Sequence, residues 1–585
     1  GTNDTTFTHF GSSATELNTL TTNTSIGFTR ALAAGGQLMA DFANSFVFQF
    51  AGPDTVLGVS NIAIGLTQPL LRGFGRNVRM EGLTQAERNL LYAVRDFAHF
   101  RKQFTFNIAT STYLSLLSQE QNIRNQQANI TALEQSYRLH QALYKAGSVS
   151  GVKVDQVYLS LKQGQLGLIQ SQASLETAQD NFKITLGLPP DIPIKLDNSL
   201  LAPFELNDPE LTALQKELEA FVAAYRELDQ PPSLGKLKSG FERLRTFHGR
   251  LVKLVNLVQK ELDRWQKELK EPRDNKEDYA LELAASQARA RDLADLRADL
   301  NRLATAIDKS VAALAENQRQ AGWEALLRRS NQEIVAANGL FVIQTQIRVY
   351  LIRLTPVRET LQSAVDYALD NRLDLMNERA RVVDAWRQID VTASFLKAGF
   401  DVMANANIAT PPVGDHPFDF RASASSYSVG FHFDSPLNRE AERNAYRTSQ
   451  INYEETRRGY VRLKDQIVQT IRQDMRTLQT ETLSFEISRQ SLVTAARNVE
   501  AADEEVKQAT DPTATLNFLQ ALNVLLSAKN SLIQSWVNYE TSRIQLLLDM
   551  EALQVNERGL YIDEHDNQPD QSAAVPASAG SGSTP

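Results

Sequence analysis

From Leu83 to Ala146 the chain carries neither glycine nor proline, and apolar residues recur through the run at helical spacing: Val94, Phe97, Phe104, Ile108, Ile123, Ile130 and Tyr137. A stretch of roughly 60 residues without a helix breaker predicts a helix far beyond the ~11 residues usual in globular domains. At 1.5 Å per residue a continuous helix here reaches roughly 90 Å. A turn at Gly147-Ser148-Val149-Ser150-Gly151 sends the chain back through a second helical stretch, Val154 to Leu186, which Gly187-Leu188-Pro189-Pro190 closes. Hairpins of that length, in several copies, can form the staves of a hollow tube.

Ahead of the helix the period changes from three-to-four to two. From Gln37 to Phe50, residues Leu38, Ala40, Phe42, Phe46, Phe48 and Phe50 fall on one side and Gln37, Asp41, Ser45 and Gln49 on the other, the pattern of a strand. After a Gly52-Pro53-Asp54 turn, Thr55 to Thr67 continues with Ile62, Ile64 and Leu66 opposite Asn61, Ala63 and Gly65, which completes a hairpin closed by Pro69.

The same order recurs. Phe400, Val402, Ala404, Ala406 and Ile408 alternate with polar neighbours, then Tyr427, Val429, Phe431 and Phe433 alternate with Ser426, Ser428, His432 and Asp434. Pro436 closes this second hairpin, and a helical run from Arg439 to about Ala509 follows, broken only by Gly459. The interval from Pro69 to Gly147 closely matches that from Pro436 to Asp511, and Ser174-Leu175 with Asn181-Phe182 echoes Ser531-Leu532 with Asn538-Tyr539. Matched order and spacing predict two internal repeats.

Between the repeats lies a charged insert. Phe241, Leu244, Phe247, Leu251, Leu254, Val258, Leu262, Trp265 and Leu269 recur at three- and four-residue steps, as do Leu293, Leu296, Leu300, Leu303 and Ile307. These are coiled-coil seams, and they predict a helical hairpin broken near Pro272-Arg273-Asp274-Asn275. The tail from Gln568 to Pro585 has too little apolar matter to bury and is expected to be disordered. No stretch approaches ~18 consecutive apolar residues, so a bilayer crossing would have to be made by strands.

Four half-polar strands cannot close a barrel alone, and open strand edges cannot face lipid because their N–H and C=O groups would go unpaired. Several copies must therefore share one barrel. Its lipid-facing residues are then Phe42, Phe46, Phe48, Ile62, Ile64, Phe400, Val402, Val429 and Phe431, with Asp, Gln, Ser and Asn turned to water. A sheet buried in a soluble sandwich is the alternative reading of the alternation, and a soluble periplasmic coiled-coil scaffold or tether the alternative for the whole chain.

The order of elements, the segment Gln68-Pro69-Leu70-Leu71-Arg72-Gly73-Phe74-Gly75-Arg76 before a long helix, and Asn371-Arg372-Leu373-Asp374-Leu375 at the start of the second half resemble the TolC-like outer membrane factor family over about residues 25–200 and 360–556. The resemblance implies a mainly α fold with a transmembrane β-barrel contribution. It implies a homotrimer with a shared twelve-stranded barrel in the bacterial outer membrane, four strands from each subunit, and an α-helical tunnel through the periplasm. It further implies a passive exit duct, not an enzyme, whose partners are a periplasmic adaptor and an inner-membrane transporter in efflux or type I secretion. Carried onto this chain, Gly147, Ser148 and Val149 form one adaptor-contact tip and Asp511, Pro512 and Thr513 the other, the second without the family's usual glycine. Asp503, Glu504 and Glu505 lie just before that tip, where three copies would form an acidic constriction. Pro69 and Pro436 become the barrel-to-helix hinges.

The expected divisions are 1–24, an N-terminal remnant; 25–76, the first barrel hairpin; 77–200, the first helical hairpin; 201–354, the insert at the equator; 355–390, a helix opening the second repeat; 391–435, the second barrel hairpin; 436–556, the second helical hairpin; and 557–585, the tail. The helix at 355–390 has no counterpart before the first strand, and Gly1-Thr2-Asn3-Asp4 lacks the features of a signal peptide, so the N-terminus reads as truncated.

Other chemistries find no support in these residues. A balance of 61 basic against 69 acidic residues, net charge −8, offers no footprint for nucleic acid. There is no cysteine, which excludes disulfides, thiol catalysis and thiolate metal sites. The histidines His9, His99, His140, His248, His416, His432 and His565 stand singly, so no metal site and no cofactor is expected. Arg72-Gly73-Phe74-Gly75-Arg76 lacks the remaining residues of a phosphate cradle.

Overall fold

The computed structural model describes residues 1–12, 15–50, 56–145, 147–206, 208–228, 230–269, 276–435, 437–508, 513–556 and 561. The expected turn at Gly52-Pro53-Asp54, the break at Pro272-Arg273-Asp274-Asn275, the hinge Pro436, Asp511 and Pro512 of the second tip and the tail from Gln568 lie outside the described residues. The chain divides into two compact units. One comprises residues 1–102, 362–471 and 549–552, the other 103–361, 472–548 and 553–585.

The first unit is built on one antiparallel sheet in the order β1-β2-β3-β4-β5-β6: β1 (Thr2–Ser12), β2 (Thr15–Ala31), β3 (Gln37–Gln49), β4 (Val56–Pro69), β5 (Gly399–Ala409) and β6 (Ser426–Asp434). The two expected hairpins are β3–β4 and β5–β6, and β4 pairs with β5 from Asn61↔Ala409 to Pro69↔Asp401, which joins the two hairpins into one sheet. The expected count of four strands is corrected to six among the described residues. Residues expected to be an N-terminal remnant form β1 and most of β2, and β2 pairs with the whole length of β3, from Thr19↔Gln49 to Ala31↔Gln37. Threonine is abundant in both strands, and its branched Cβ favours extended backbone even where hydrophobic alternation is weak.

In the same unit α9 (Leu361–Asn371) and α10 (Leu373–Ser394) open the second half. They part at Arg372, whose ψ of 120° leaves the helix. Its guanidinium reaches the Asp374 carboxylate at 2.7 Å and donates to the Asp549 carbonyl at 3.1 Å, so the Asn371-Arg372-Leu373-Asp374 motif ties three segments together. Burial works against the charge on Asp374, but Arg372 outweighs it and holds the carboxyl below its ordinary value.

The long run at 83–146 is helical but not uniform. After α1 (Arg76–Arg79), α2 (Glu81–Asn107) gives way to a π-helical turn over Ile108–Leu114 before α3 (Ser115–Lys145). A π-turn inserts an extra residue and rotates the following face. In the second unit its Leu114 joins a core with Leu117, Leu201, Phe204, Val349, Phe485, Leu492 and Leu532, and the Tyr113 hydroxyl donates to the Asp197 carbonyl. The return helix is α4 (Gly151–Thr185); after β6 come α11 (Glu440–Gln508), a single helix of 69 residues running through Gly459, and α12 (Ala514–Asp549).

The insert is a four-helix bundle rather than a two-helix hairpin: α5 (Pro209–Arg226), α6 (Leu234–Glu268), α7 (Lys276–Ala312) and α8 (Arg319–Leu351), with α8 packed on the other three. Every expected seam residue from Phe241 to Leu269 is buried in its core, as are Leu293, Leu300, Leu303 and Ile307. Trp265 is fully enclosed, stacked on Tyr350 with ring centroids 4.7 Å apart, its indole N–H donating to Glu282 at 2.9 Å. Among the described residues one stretch, Glu316–Leu351, is long and apolar enough to cross a membrane by length and composition. Its Leu326, Ala337, Leu340, Ile343 and Ile347 belong to the bundle core, which accounts for its apolarity.

Candidate functional site

The register of the sheet settles which side chains share a face. Directly paired residues point the same way, so the rows Ile26↔Phe42↔Ile62↔Ile408 and Phe7↔Leu20↔Phe48↔Val56 each present apolar groups together. Val402 pairs with Phe431 and Ala404 with Val429, and Phe400 pairs with Phe433. All nine residues expected to face lipid, Phe42, Phe46, Phe48, Ile62, Ile64, Phe400, Val402, Val429 and Phe431, therefore fall on one face. The opposite face carries Asn23, Asp41, Ser45, Asn61, Asp401, Asn405, Asn407, Ser428 and His432.

The apolar face is not covered in the way a soluble core would be. Val429 and Phe431 are each 70% exposed, and Ile26, Phe28 and Phe433 are also exposed. Aromatic rings stack along the surface instead, Phe46 on Phe48 at 6.3 Å and Phe400 on Phe431 at 6.1 Å. Polar residues interrupt the face, among them Thr22, Thr24, Arg30, Asn44, Ser60 and Gln68; Asn44 and Ser60 are buried, and the Asn44 amide donates to Ser60 Oγ at 2.8 Å while Ser60 N–H donates to Thr410 Oγ1 at 2.9 Å.

Where strands give way to helices, a charged cluster that the sequence did not announce joins the segments that follow β4 and β6. Pro69 ends β4, and the chain turns through Gly73 and Gly75, both at positive φ. Arg72 lies 3.5 Å from Asp434 and 3.9 Å from Glu442, while Arg439 reaches Asp434 at 3.0 Å and Glu442 at 3.3 Å. Arg439 is the buried member. The Glu442 carboxyl is held below its ordinary value by its own backbone N–H and by Arg439. Arg72 also stands over the Phe395 ring at 5.6 Å.

In the second unit the tip between α3 and α4 is a Schellman closure: Gly147 N–H donates to Tyr144 O and Ser148 N–H to Leu143 O, both at 2.9 Å, with Gly147 at φ 76°. Gly147 and Ser148 are exposed and Val149 half-buried; of the other tip, the described Thr513 is exposed. Behind the tips, Ile130, Val157 and Leu161 pack with Ala502, Val506, Phe518 and Leu522, so both helical hairpins share one core. His140, fully buried, spans it: Nδ1–H donates to the Ser136 carbonyl at 2.8 Å, and Nε2 accepts from the Thr515 hydroxyl at 3.0 Å. Burial pushes its pKa down, and the Ser136 carbonyl only partly opposes that.

Asp503 is half-buried and Glu504 and Glu505 are exposed on α11, between the buried Ala502 and Val506. One turn away, Glu500 has its carboxyl pushed up by burial and then by Asp292, with Arg289 and Arg497 opposing. No local pattern singled it out, because Asp292 and Arg289 come from the insert. Among the described residues no group of three His, Cys, Asp or Glu side chains could hold a metal ion.

No family model matches the sequence, and no curated protein does. Solved structures do. CusC, a protein described through conformational changes accompanying folding and transmembrane channel formation, superposes with a TM-score of 0.52 at 10% identity, covering 88% of this chain and 83% of that one. The outer-membrane channel OprN gives 0.51 at 11% identity over 90% and 82%, and the outer membrane protein VceC from Vibrio cholerae 0.50 at 11% over 91% and 86%. At such identities the likeness is one of backbone architecture, and it extends over nearly the whole length of each chain. The fold is that of the TolC-like outer-membrane efflux channels.

Proposed function

We propose that this chain is one subunit of a homotrimeric duct in the bacterial outer membrane, a passive exit for drugs or other exported molecules. In this reading its helices form a periplasmic stalk whose tips, Gly147-Ser148-Val149 and Asp511-Pro512-Thr513, meet a periplasmic adaptor and through it an inner-membrane transporter. The chain conducts and does not catalyse.

One observation carries the proposal: a sheet apolar on one face and polar on the other, with the apolar face left open. Apolar surface in water costs about 25 cal/mol per Å², so Val429 and Phe431, each 70% exposed on a strand, need a lipid environment or a partner. Lipid on that side and water on the other suits the alternation. The soluble scaffold reading is disfavoured by the same surface, which a water-soluble protein would have buried.

Planar-bilayer reconstitution of the protein tests this. Discrete conductance steps are expected, and a silent, detergent-independent monomer would end the reading. The constriction has its own test: Glu504→Gln combined with Glu505→Gln should weaken block by divalent cations several-fold, since three copies bring these carboxylates into one ring.

A further inference from the structure

We propose that His140 is a proton-released clasp: neutral, it ties the first helical hairpin to the second directly behind the tips, and protonated, it lets them part. This rests on the channel reading above and deepens it, because it names a condition under which the tips loosen.

The placement comes first. His140 lies five residues before the end of α3 at Lys145, and Thr515 is the second residue of α12. Their contact therefore joins the helix that enters one tip to the helix that leaves the other. Fifteen residues back along each helix, about 22 Å, Asn125 Nδ2 donates to Asn530 Oδ1 at 2.9 Å. Of these two polar rungs between α3 and α12, the one nearer the tips titrates and the other does not.

Chemistry sets the direction. The His140 ring shows no exposed surface, and Ser136 and Thr515 beside it are buried as well. A neutral imidazole suits them, with Nδ1–H donating to the Ser136 carbonyl and Nε2 accepting from the Thr515 hydroxyl. A second ring proton turns Nε2 into a donor facing that hydroxyl and leaves a buried cation. Among the described residues no carboxylate bears on the ring, and the charged group that does is Lys153 of α4, which repels a cation. From α12 comes the uncharged Thr515; the α11 residues of this core, Ala502 and Val506, are apolar, and Asp503 between them does not act on the ring. A buried charge without a counter-charge is costly, and parting of the helices brings water to it.

Burial holds His140 neutral to a lower pH than its ordinary 6.5, whereas water between parted helices restores that ordinary value. The clasp is thus at full strength above pH 6.5. As pH falls from there, the ratio of clasped to parted tips drops by up to about tenfold per unit until the lowered value is passed.

Nitroxides on Ser148→Cys and Asn517→Cys measure the separation of the hairpins, and the lack of native cysteine confines the label to those positions. In the full-length protein, diluted with unlabelled copies, the spin–spin distance is expected to be short at pH 7.5 and to gain a longer population toward pH 5. His140→Gln, whose amide can donate and accept without titrating, should hold the short distance at both. Lys153→Glu leaves the ring and its hydrogen bonds in place but supplies a counter-charge, and should abolish the parting in acid; if His140→Gln does not fold, this variant decides alone. A distance that ignores pH in the parent, or a change that persists in Lys153→Glu, overturns the clasp. Conductance of the same proteins in a planar bilayer keeps the two readings apart. Tips that part in acid in a protein that never conducts remove the channel and keep the clasp, whereas a conducting protein whose tips ignore pH removes the clasp and keeps the channel.

Discussion

The sheet and the insert bundle are both rich in large apolar side chains, yet they place them in opposite surroundings. In the insert Leu237, Leu244, Leu251 and Trp265 show no exposed surface, whereas in the sheet Val429 and Phe431 keep 70% of theirs. A helix seam can be satisfied within one chain, because three further helices fold back to cover it. A sheet with one apolar face and, among the described residues, β1 and β6 paired on one side only cannot, and on the proposed function lipid and other copies complete it. The insert is therefore the part whose stability is intrinsic, and the sheet the part whose stability is conditional.

The contrast can be broken at several points. The largest effect should come from Trp265→Ala, which empties the bundle core and leaves Glu282 without its indole donor; about 3–5 kcal/mol is expected in denaturant unfolding, with conductance retained. A loss under 1 kcal/mol would mean that the insert is not a self-sufficient core. Phe431→Arg tests the opposite end, with about 2–4 kcal/mol lost from membrane-embedded stability. Phe42→Asp should lose roughly 2 kcal/mol in the same assay. Normal insertion of both variants would place that face away from lipid.

A smaller effect is expected where the chain leaves α12. Glu551 adopts φ 64°, its carboxylate buried beside His99 Nδ1 at 2.8 Å and Lys102 Nζ at 3.3 Å. Hydrogen bonding to Glu551 raises the pKa of His99 above 6.5, against the opposing effect of burial; burial opposes ionisation of Glu551, but His99 and Lys102 prevail and hold its pKa below 4.5. The His99 contribution is complete below pH 6.5 and fades as pH rises through the raised value. The Glu551 contribution is complete above pH 4.5 and fades as pH falls through the lowered one. The clamp should thus be tightest between these limits, read as protection of the 549–552 segment from hydrogen exchange across pH 3 to 9. Glu551→Gln should cost about 1–3 kcal/mol at pH 5.5 and flatten that profile. The smallest change belongs to Gly147→Ala, about 1 kcal/mol from forcing a side chain into left-handed backbone, seen as faster exchange at Ser148 N–H.

Much of this architecture was legible in the residues. Helix breakers and period-two alternation located the long helices and β3 to β6, because propensity and periodicity act over a few residues. The α6 seam was read residue by residue for the same reason. The bundle was not, since α8 carries buried Glu333, Gln344 and Gln346 among its apolar residues and shows no single stripe. Nor were β1 and β2, whose threonines favour strand without declaring a face.

What the sequence alone determined is the local alphabet: long helices, amphipathic strands, a charged insert and tips closed at Gly147. Tertiary structure decided what meets what. Arg72 and Asp434 are 362 residues apart in sequence and His140 and Thr515 are 375 apart, yet each pair is in contact. It likewise decided that six strands, not four, form one sheet. Ion pairs, buried hydrogen bonds and strand order depend on distances that only the folded chain sets, and no periodicity encodes them.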